Sequence, residues 1–177
     1  MRKRSASGCF DSRINRLVRY GLWTLSTAIF LLTLSAQTAN WEDELVGKWK
    51  MNIAKSQFQG MPRPIESAMT ISQATASRFK WQVITTFPGG KTSFMGFDGA
   101  IDGKPHDYQG TQGAKLSFVD NNGVLEGTAT YPGGMTMHEI VTISQDSNTI
   151  TSESNLTFPT GTGSSTEVWE RVQQKKK

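Results

Sequence analysis

The chain has 177 residues, of which 36% are hydrophobic, and it contains one cysteine, Cys9. This length suits a single domain of ordinary size. The formal net charge of +4 originates in the first 20 residues, which hold six Arg or Lys and one Asp. The rest of the chain has 13 basic and 14 acidic residues, so the basic balance does not indicate a nucleic-acid partner.

The N-terminal segment has the pattern of an export signal. An uncharged, mostly apolar run at 21–35 follows the basic residues and is short for a spanning helix of ~20 residues. Small residues follow it, so we expect a signal helix within a signal peptide at 1–39 and a periplasmic or secreted protein. The alternative is an uncleaved signal that anchors the chain in the inner membrane. Cleavage would remove Cys9, and with it disulfide and thiol chemistry.

Residues 40–172 have the pattern of short strands separated by turns. A helical turn at 41–45 precedes strands predicted at 47–52, 67–74, 79–87, 91–98, 106–109, 114–120, 124–131, 135–145, 149–158 and 164–172. The Aromatic-Pro-Gly-Gly segments at 87–90 and 131–134 are typical of hairpin tips, where glycine permits positive φ. The pattern predicts an all-β fold, a single antiparallel up-and-down β-barrel of about ten strands. Residues 173–177 are expected to form a basic disordered tail.

Alternation along the strands predicts which side chains face the interior. Phe79, Trp81 and Val83 share one face, whereas Lys80 lies on the other. Small polar residues share the interior face with aromatic and Met side chains, and such a mixture favours a barrel with a cavity over a dry sandwich. Tyr108 is expected at the rim. The predicted lining consists of Trp81, Val83, Met95, Phe97, Phe118, Met137 and Glu139.

Glu139 is the most unusual member of this set. It falls on the apolar face of its strand, between Met137 and Val141. A carboxylate inside a barrel is costly unless it is paired, so Glu139 is a candidate contact for a ligand head group or a candidate general acid or base. The alternative is a bulge or a different register that turns Glu139 outward.

Other chemical signatures are missing from the sequence. The only histidines are His106 and His138, and no spacing typical of a metal site occurs, so we expect no metal and no cofactor. No nucleophile elbow or phosphate loop occurs, and we assign no catalytic residue. His106 and Asp107 are adjacent on a short strand and would point to opposite faces, which favours a solvated hairpin over a proton-transfer pair.

Three motifs together resemble a known family. The stretch GKWKMNIAKS occupies residues 47–56, Phe97-Asp98-Gly99 lies in mid-chain, and Val168-Trp169-Glu170-Arg171 ends the last strand. They resemble a family of exported bacterial lipocalin-like proteins, over about 45–172. The lipocalin Thr-Asp-Tyr motif is absent from its usual place, and ten strands also resemble the fatty-acid-binding relatives.

The resemblance implies a structural role for three residues. In lipocalins the Trp of the Gly-x-Trp motif plugs the closed end of the barrel, and an Arg from the last strand lies across it. The matching positions are Gly47, Trp49 and Arg171. A guanidinium on an indole face contributes ~0.5–2 kcal/mol, and Gly47 would let the backbone pass close beneath.

The function predicted from these features is binding of a small apolar or amphipathic molecule by a monomer. Membrane contact is expected only through the N-terminal segment. One alternative is an isomerase, cyclase or hydrolase acting on a lipid-like substrate. Another is an envelope interaction protein with a filled barrel. A cavity with one buried charge favours binding, two or more convergent titratable groups favour an enzyme, and a packed interior with an apolar outer patch favours the interaction protein.

Overall fold

The computed structural model describes residues 41–173. The predicted signal at 1–39 and the lysines at 175–177 lie outside the described residues. The elements in chain order are a one-turn helix α1 (Trp41–Glu44) and the strands β1 (Gly47–Met51), β2 (Gln57–Gln59), β3 (Glu66–Thr75), β4 (Arg78–Thr86), β5 (Thr92–Ala100), β6 (His106–Gln109), β7 (Lys115–Asn121), β8 (Val124–Thr130), β9 (Thr136–Ile143), β10 (Thr149–Phe158) and β11 (Gly161–Arg171).

The strands form one closed antiparallel barrel. From β3 to β11 each strand pairs with the next along the chain, and β1 pairs with both β3 and β11, which closes the sheet. The predicted up-and-down barrel is therefore confirmed. The short strand β2 lies in a segment that the sequence predicts to be a loop. It pairs with residues 164–166 of β11, whereas β1 pairs with residues 169–171 of the same strand. Three residues are too few to show an alternating pattern.

The chain enters the barrel through α1, which is a turn more than a helix. Asp43 has φ 59° and Glu42 has ψ 136°, both outside the helical region. The amide of Leu45 nevertheless donates to the carbonyl of Trp41 at 3.2 Å, and both side chains are buried. No helix within residues 41–173 is long and apolar enough to cross a membrane.

The predicted alternation holds along the walls. In β4 the side chains of Phe79, Trp81 and Val83 are buried, while Arg78 and Gln82 are exposed. Such period-two burial is what a barrel requires, because successive side chains point to opposite faces.

Aromatic side chains pack together at the end of the barrel where α1 lies. The ring of Phe118 lies 5.3 Å from that of Phe79 and 5.1 Å from that of Phe97, both in edge-to-face arrangements. Trp41 from α1 adds an edge contact with Phe79 at 6.5 Å. Each edge-to-face pair contributes about 0.5–1.5 kcal/mol beyond area burial. This end of the barrel is therefore filled.

The same end holds the Trp49–Arg171 pair. Trp49 is 1% exposed, and its indole nitrogen donates to the carbonyl of Leu45 at 2.9 Å. The Arg171 guanidinium carbon lies 4.2 Å from the centre of the indole, a cation–π geometry. Arg171 also donates to the carbonyls of Ser147, at 2.7 Å, and Val46, at 2.9 Å.

Gly47 explains why the motif begins with glycine. Its φ is 153°, and a Cβ added there would stand 2.7 Å from Nη1 of Arg171. A larger residue at position 47 would therefore displace the guanidinium from Trp49 or strain the backbone.

The remaining motif residues also bond to the last strand. Nδ2 of the Asn52 side chain and the ammonium of Lys55 donate to Glu170 Oε1, at 2.8 and 2.9 Å. The Ser56 hydroxyl accepts from the amide of Val168 at 3.0 Å. The stretch at 47–56 and the final strand thus form one latch, which we call the closure latch, and it joins the two ends of the sheet.

Candidate functional site

A cavity of about 200 Å³ lies inside the barrel. It extends from the aromatic cluster at the closed end toward the opposite end of the barrel, which carries the loop at 60–65 and the turn at 87–90. The share of liquid volume held by one water is about 30 Å³, so the cavity has room for a small organic molecule. It is lined by Met51, Phe58, Met61, Pro62, Pro64, Met69, Ile71, Phe79, Trp81, Val83, Thr85, Phe87, Met95, Tyr108, Phe118, Tyr131, Met137, Glu139, Val141, Ile150, Ser152, Ser154, Leu156, Ser165, Glu167 and Trp169.

The polar side chains of this lining are concentrated on one wall. Strand pairing places Ser154 opposite Glu139 on β9 and opposite Ser165 on β11, and it places Ser152 opposite Glu167. We call these five residues the acidic wall. Two apolar cross-strand pairs flank this patch. Ile150 pairs with Trp169 on the side nearer the closed end of the barrel, and Leu156 pairs with Met137 on the side nearer the open end, so the polar patch lies between apolar rows.

Glu139 points into the cavity and not outward. The hydroxyl of Ser152 donates to its Oε1 at 2.5 Å. Burial raises the pKa of Glu139, and the bond from Ser152 and the nearby His138 offset only part of this effect. The side chain is half-buried by accessible area, and since it forms part of the lining, its remaining surface faces the cavity.

Glu167 is a second carboxylate in the same wall. Burial and, to a smaller extent, the negative charge of Glu139 raise its pKa from 4.5 to about 7. Trp169 and Ser165 are near enough to favour the charged form but do not cancel the effect. A carboxyl group that titrates near neutral pH can exchange a proton or accept a cation under ordinary conditions.

Ser165 adds an unsatisfied group beside Glu167 on the same strand. It is 5% exposed, and its hydroxyl makes no hydrogen bond within the part of the chain that the structure describes. It lies close enough to Glu167 to lower the pKa of that carboxyl, but the two groups do not meet in the geometry of a full hydrogen bond. Buried polar groups without partners are uncommon in folded proteins, and each one requires an explanation.

Aromatic side chains face the acidic wall. The rings of Trp81 and Tyr108 lie 6.0 Å apart, and those of Tyr108 and Tyr131 lie 5.7 Å apart. Burial raises the pKa of Tyr108, and the charges of Tyr131, Glu139 and Glu167 raise it further. The tyrosines and the carboxylates are thus close enough to interact through the cavity.

The structure brings most of the predicted lining together. Trp81, Val83, Met95, Phe118, Met137 and Glu139 form part of the wall. Tyr108 also lines the cavity, but it is 6% exposed and lies inside the barrel, whereas the sequence predicts it at the rim.

Phe97 does not line the cavity. It is fully buried in the aromatic cluster at the closed end. Alternation placed it correctly on the interior face but carries no information about depth along the barrel.

Sequence reasoning missed Glu167, Ser165 and the segment that contains Phe58 and Met61. Counting in twos from Trp169 reaches both Glu167 and Ser165, but the polar residues on this face of the strand conceal that it is the interior face. Phe58 lies on β2, which was not predicted.

The hairpin at 106–115 shows that His106 and Asp107 do not act together. His106 Nε2 lies 2.9 Å from Asp102, while Asp107 pairs with Lys115 at 2.6 Å. Residues 41–173 include no group of three or more His, Cys, Asp or Glu side chains arranged to hold a metal ion.

The fold and the site define a closed antiparallel β-barrel with an internal, mainly apolar cavity. No protein-family model matches the chain, and a search of curated proteins gave no match. Among solved structures, the chain is similar to wild-type fluorescent protein UnaG, with 16% sequence identity and a TM-score of 0.46. The match covers 72% of this chain and 96% of the UnaG chain. It is also similar to zebrafish ileal bile acid-binding protein complexed with cholic acid, with 17% sequence identity and a TM-score of 0.46. That match covers 73% of this chain and 99% of the zebrafish chain. Similarities this weak say nothing about the function of this chain.

Proposed function

We propose that the barrel binds a small apolar or amphipathic molecule in its cavity. The observation that carries this proposal is an unfilled interior with mainly apolar walls and one concentrated polar patch. Ligand sites are typically concave and apolar, with a few polar groups that fix the orientation of the ligand. A barrel whose interior served only stability would be filled by side chains.

The make-up of the apolar lining supports a ligand of adaptable shape. Met51, Met61, Met69, Met95 and Met137 all contribute to it. Methionine has three rotatable bonds and a polarisable sulfur, so it adapts to irregular surfaces. The alternative of a filled barrel does not match this interior.

Blocking the cavity should abolish binding. Ser154 is buried and faces the cavity, so Ser154→Phe would occupy the space next to Glu139. We expect the affinity for the neutral apolar dye Nile red to fall by more than about tenfold, which corresponds to 1.4 kcal/mol. Dye fluorescence in a titration would measure this.

The control for this variant is its neighbour on the same strand. Asn155 is exposed on the outer face, and Asn155→Phe should leave dye binding unchanged. Circular dichroism would verify that both variants retain the barrel. Equal dye binding by wild type and a folded Ser154→Phe protein would contradict a site inside the cavity.

The second carboxylate supports catalysis as a second candidate function. Glu139 and Glu167 converge on one cavity, and the pKa of about 7 for Glu167 suits proton transfer at neutral pH. An isomerase of this kind would exchange carbon-bound protons of its substrate with solvent. The test is to incubate the purified protein in heavy water with the molecule that it retains. The molecule would gain deuterium if the protein is such an isomerase and would remain unlabelled if the protein only binds it.

We also propose that the protein is exported. The basic segment at 1–20 and the short apolar run at 21–35 support this. N-terminal sequencing of the protein recovered from cells should show a mature chain that begins between Ala36 and Trp41. A full-length chain recovered from the inner membrane would instead support the uncleaved anchor.

A further inference from the structure

The charges of the cavity lining are all of one sign. The lining contains Glu139 and Glu167 and, among the described residues, no Lys, Arg or His. The other titratable groups that face the two carboxylates are Tyr108 and Tyr131, and neither can supply a positive charge. His138, the nearest basic group on β9, is exposed on the outer face.

The two carboxylates are only partly satisfied by the protein. Glu139 receives the bond from Ser152, whereas Glu167 forms no ion pair with any described residue, and its weak contacts with Trp169 and Ser165 do not cancel the effect of burial on its pKa. A carboxylate in this setting is costly unless a cation or donor is supplied. The cavity therefore lacks a positively charged partner for its own polar patch.

A second, independent observation points to a ligand at the same place. The Ser165 hydroxyl is 5% exposed and faces the cavity, yet it has no hydrogen-bond partner among the described residues. Ser154, which pairs with Ser165 across the strands, lies between it and Glu139. The acidic wall thus offers two carboxylates and a free hydroxyl within one small patch, which is a set of acceptors for an N–H-bearing group.

We propose that the cavity selects an amphipathic ligand with a protonated amine, whose head group binds the acidic wall at Glu139, Glu167 and Ser165. This inference rests on the proposed binding function and names the chemical class of its ligand. The apolar rows formed by Ile150, Trp169, Met137 and Leu156 on either side of the patch would hold the apolar part.

The aromatic side chains opposite the wall suit the same head group. An ammonium within about 6 Å of a ring centroid is attracted to the ring face, and aromatic rings are a recurrent way to bind organic cations. The Trp81, Tyr108 and Tyr131 rings form a continuous edge-to-face series along this side of the cavity. An anionic head group would instead add a further negative charge to a site that contains no cation.

The pKa of Glu167 adds a direction of pH dependence. It lies at about 7 in the free protein, so a bound ammonium would favour the ionised form and release a proton. Affinity for the amine should therefore rise as pH increases through 7, while the affinity for an uncharged ligand should change little.

Three ligands with the same chain would test the proposal: 1-octylamine, 1-octanol and octanoate. At pH 8 the amine is protonated, as a lysine side chain is. Isothermal titration calorimetry of the purified protein should show the amine binding at least about tenfold more tightly than the alcohol, because hydrogen bonds to charged groups are stronger than those between neutral groups. Octanoate should bind more weakly than either.

Variants of the two carboxylates provide the internal comparison. Glu139→Gln combined with Glu167→Gln keeps the shape of the wall but removes its charge, and it should bring the amine to within about threefold of the alcohol. The matched control, Glu126→Gln combined with Glu153→Gln, removes the same charge from the outer face of β8 and β10 and should leave the preference for the amine unchanged.

The outcomes separate this inference from the proposed function. If octanoate binds as tightly as the amine, or if the preference for the amine survives in the Glu139→Gln, Glu167→Gln protein, the cationic ligand is wrong. If Nile red binds but the amine shows no advantage over the alcohol, the cavity binds ligands and only this inference falls. If neither Nile red nor any octyl compound binds, the proposed function falls with it.

Discussion

Replacing Trp49 with alanine should lower the free energy of unfolding by about 3–5 kcal/mol, the usual cost of truncating a large buried aromatic side chain. Trp49 is 1% exposed at the closed end of the barrel, and its indole bonds to the carbonyl of Leu45. Its removal opens a cavity and leaves the Arg171 guanidinium without the ring on which it lies. Urea unfolding monitored by circular dichroism would measure the loss.

The same experiment tests whether the closure latch acts as a unit. Arg171→Ala should cost less than Trp49→Ala, and the double variant should lose less than the sum, because residues in contact couple. Phe94→Ala is a suitable control, since Phe94 is 43% exposed on the outer face. Additive losses in the double variant would show that Trp49 and Arg171 stabilise the fold independently.

Removing the charge of Glu167 should change how stability depends on pH. Its folded-state pKa is raised from 4.5 to about 7, so the folded ligand-free protein binds more protons than the unfolded chain between these values. Stability should therefore fall as pH rises from about 4.5 to about 7. One pKa unit corresponds to 1.36 kcal/mol. The free energy of unfolding of the Glu167→Gln protein should therefore exceed that of wild type by up to about 3 kcal/mol at pH 8 and by little at pH 4.

The comparison requires urea unfolding of both proteins at the two pH values without ligand. Glu153→Gln is the matched control, because Glu153 is exposed on the neighbouring strand and its replacement should not alter the slope. Equal stability of wild type and Glu167→Gln at pH 8 would mean that water or another partner satisfies this carboxylate and that its ionisation costs nothing.

The predictability of the site depended on the sequence around each residue. Glu139 could be placed inside the barrel because Met137, Val141 and Ile143 mark its face as apolar. Glu167 stands between Ser165 and Trp169, and three of the four alternate residues from Ser165 to Arg171 are polar, which hid the interior face. Alternation is a signal of contrast between faces and fails where the interior itself is polar.

The fold was more predictable than the depth of each residue. Ten of the eleven strands were expected because alternation and turn residues recur throughout 47–172. The Trp49–Arg171 contact was implied by resemblance, and the structure adds why Asn52, Lys55 and Ser56 accompany it. The position of Phe97 below the cavity depends on how strands from distant parts of the chain align, and this cannot be obtained from local patterns.

The closure latch has a consequence for how the polypeptide is made. Asn52 and Glu170 bond across 118 residues, so β1 gains its second neighbour only after the final strand has been synthesised. Until then the nascent sheet has two open edges, at β1 and β10, with backbone groups free to pair with another chain. Contacts of such long sequence separation also slow folding. A chain truncated before Val168 would still pair β10 with residues 161–167, but β1 would remain open on one side because its partners at 169–171 would be missing. The hazard of such a chain is aggregation more than loss of binding.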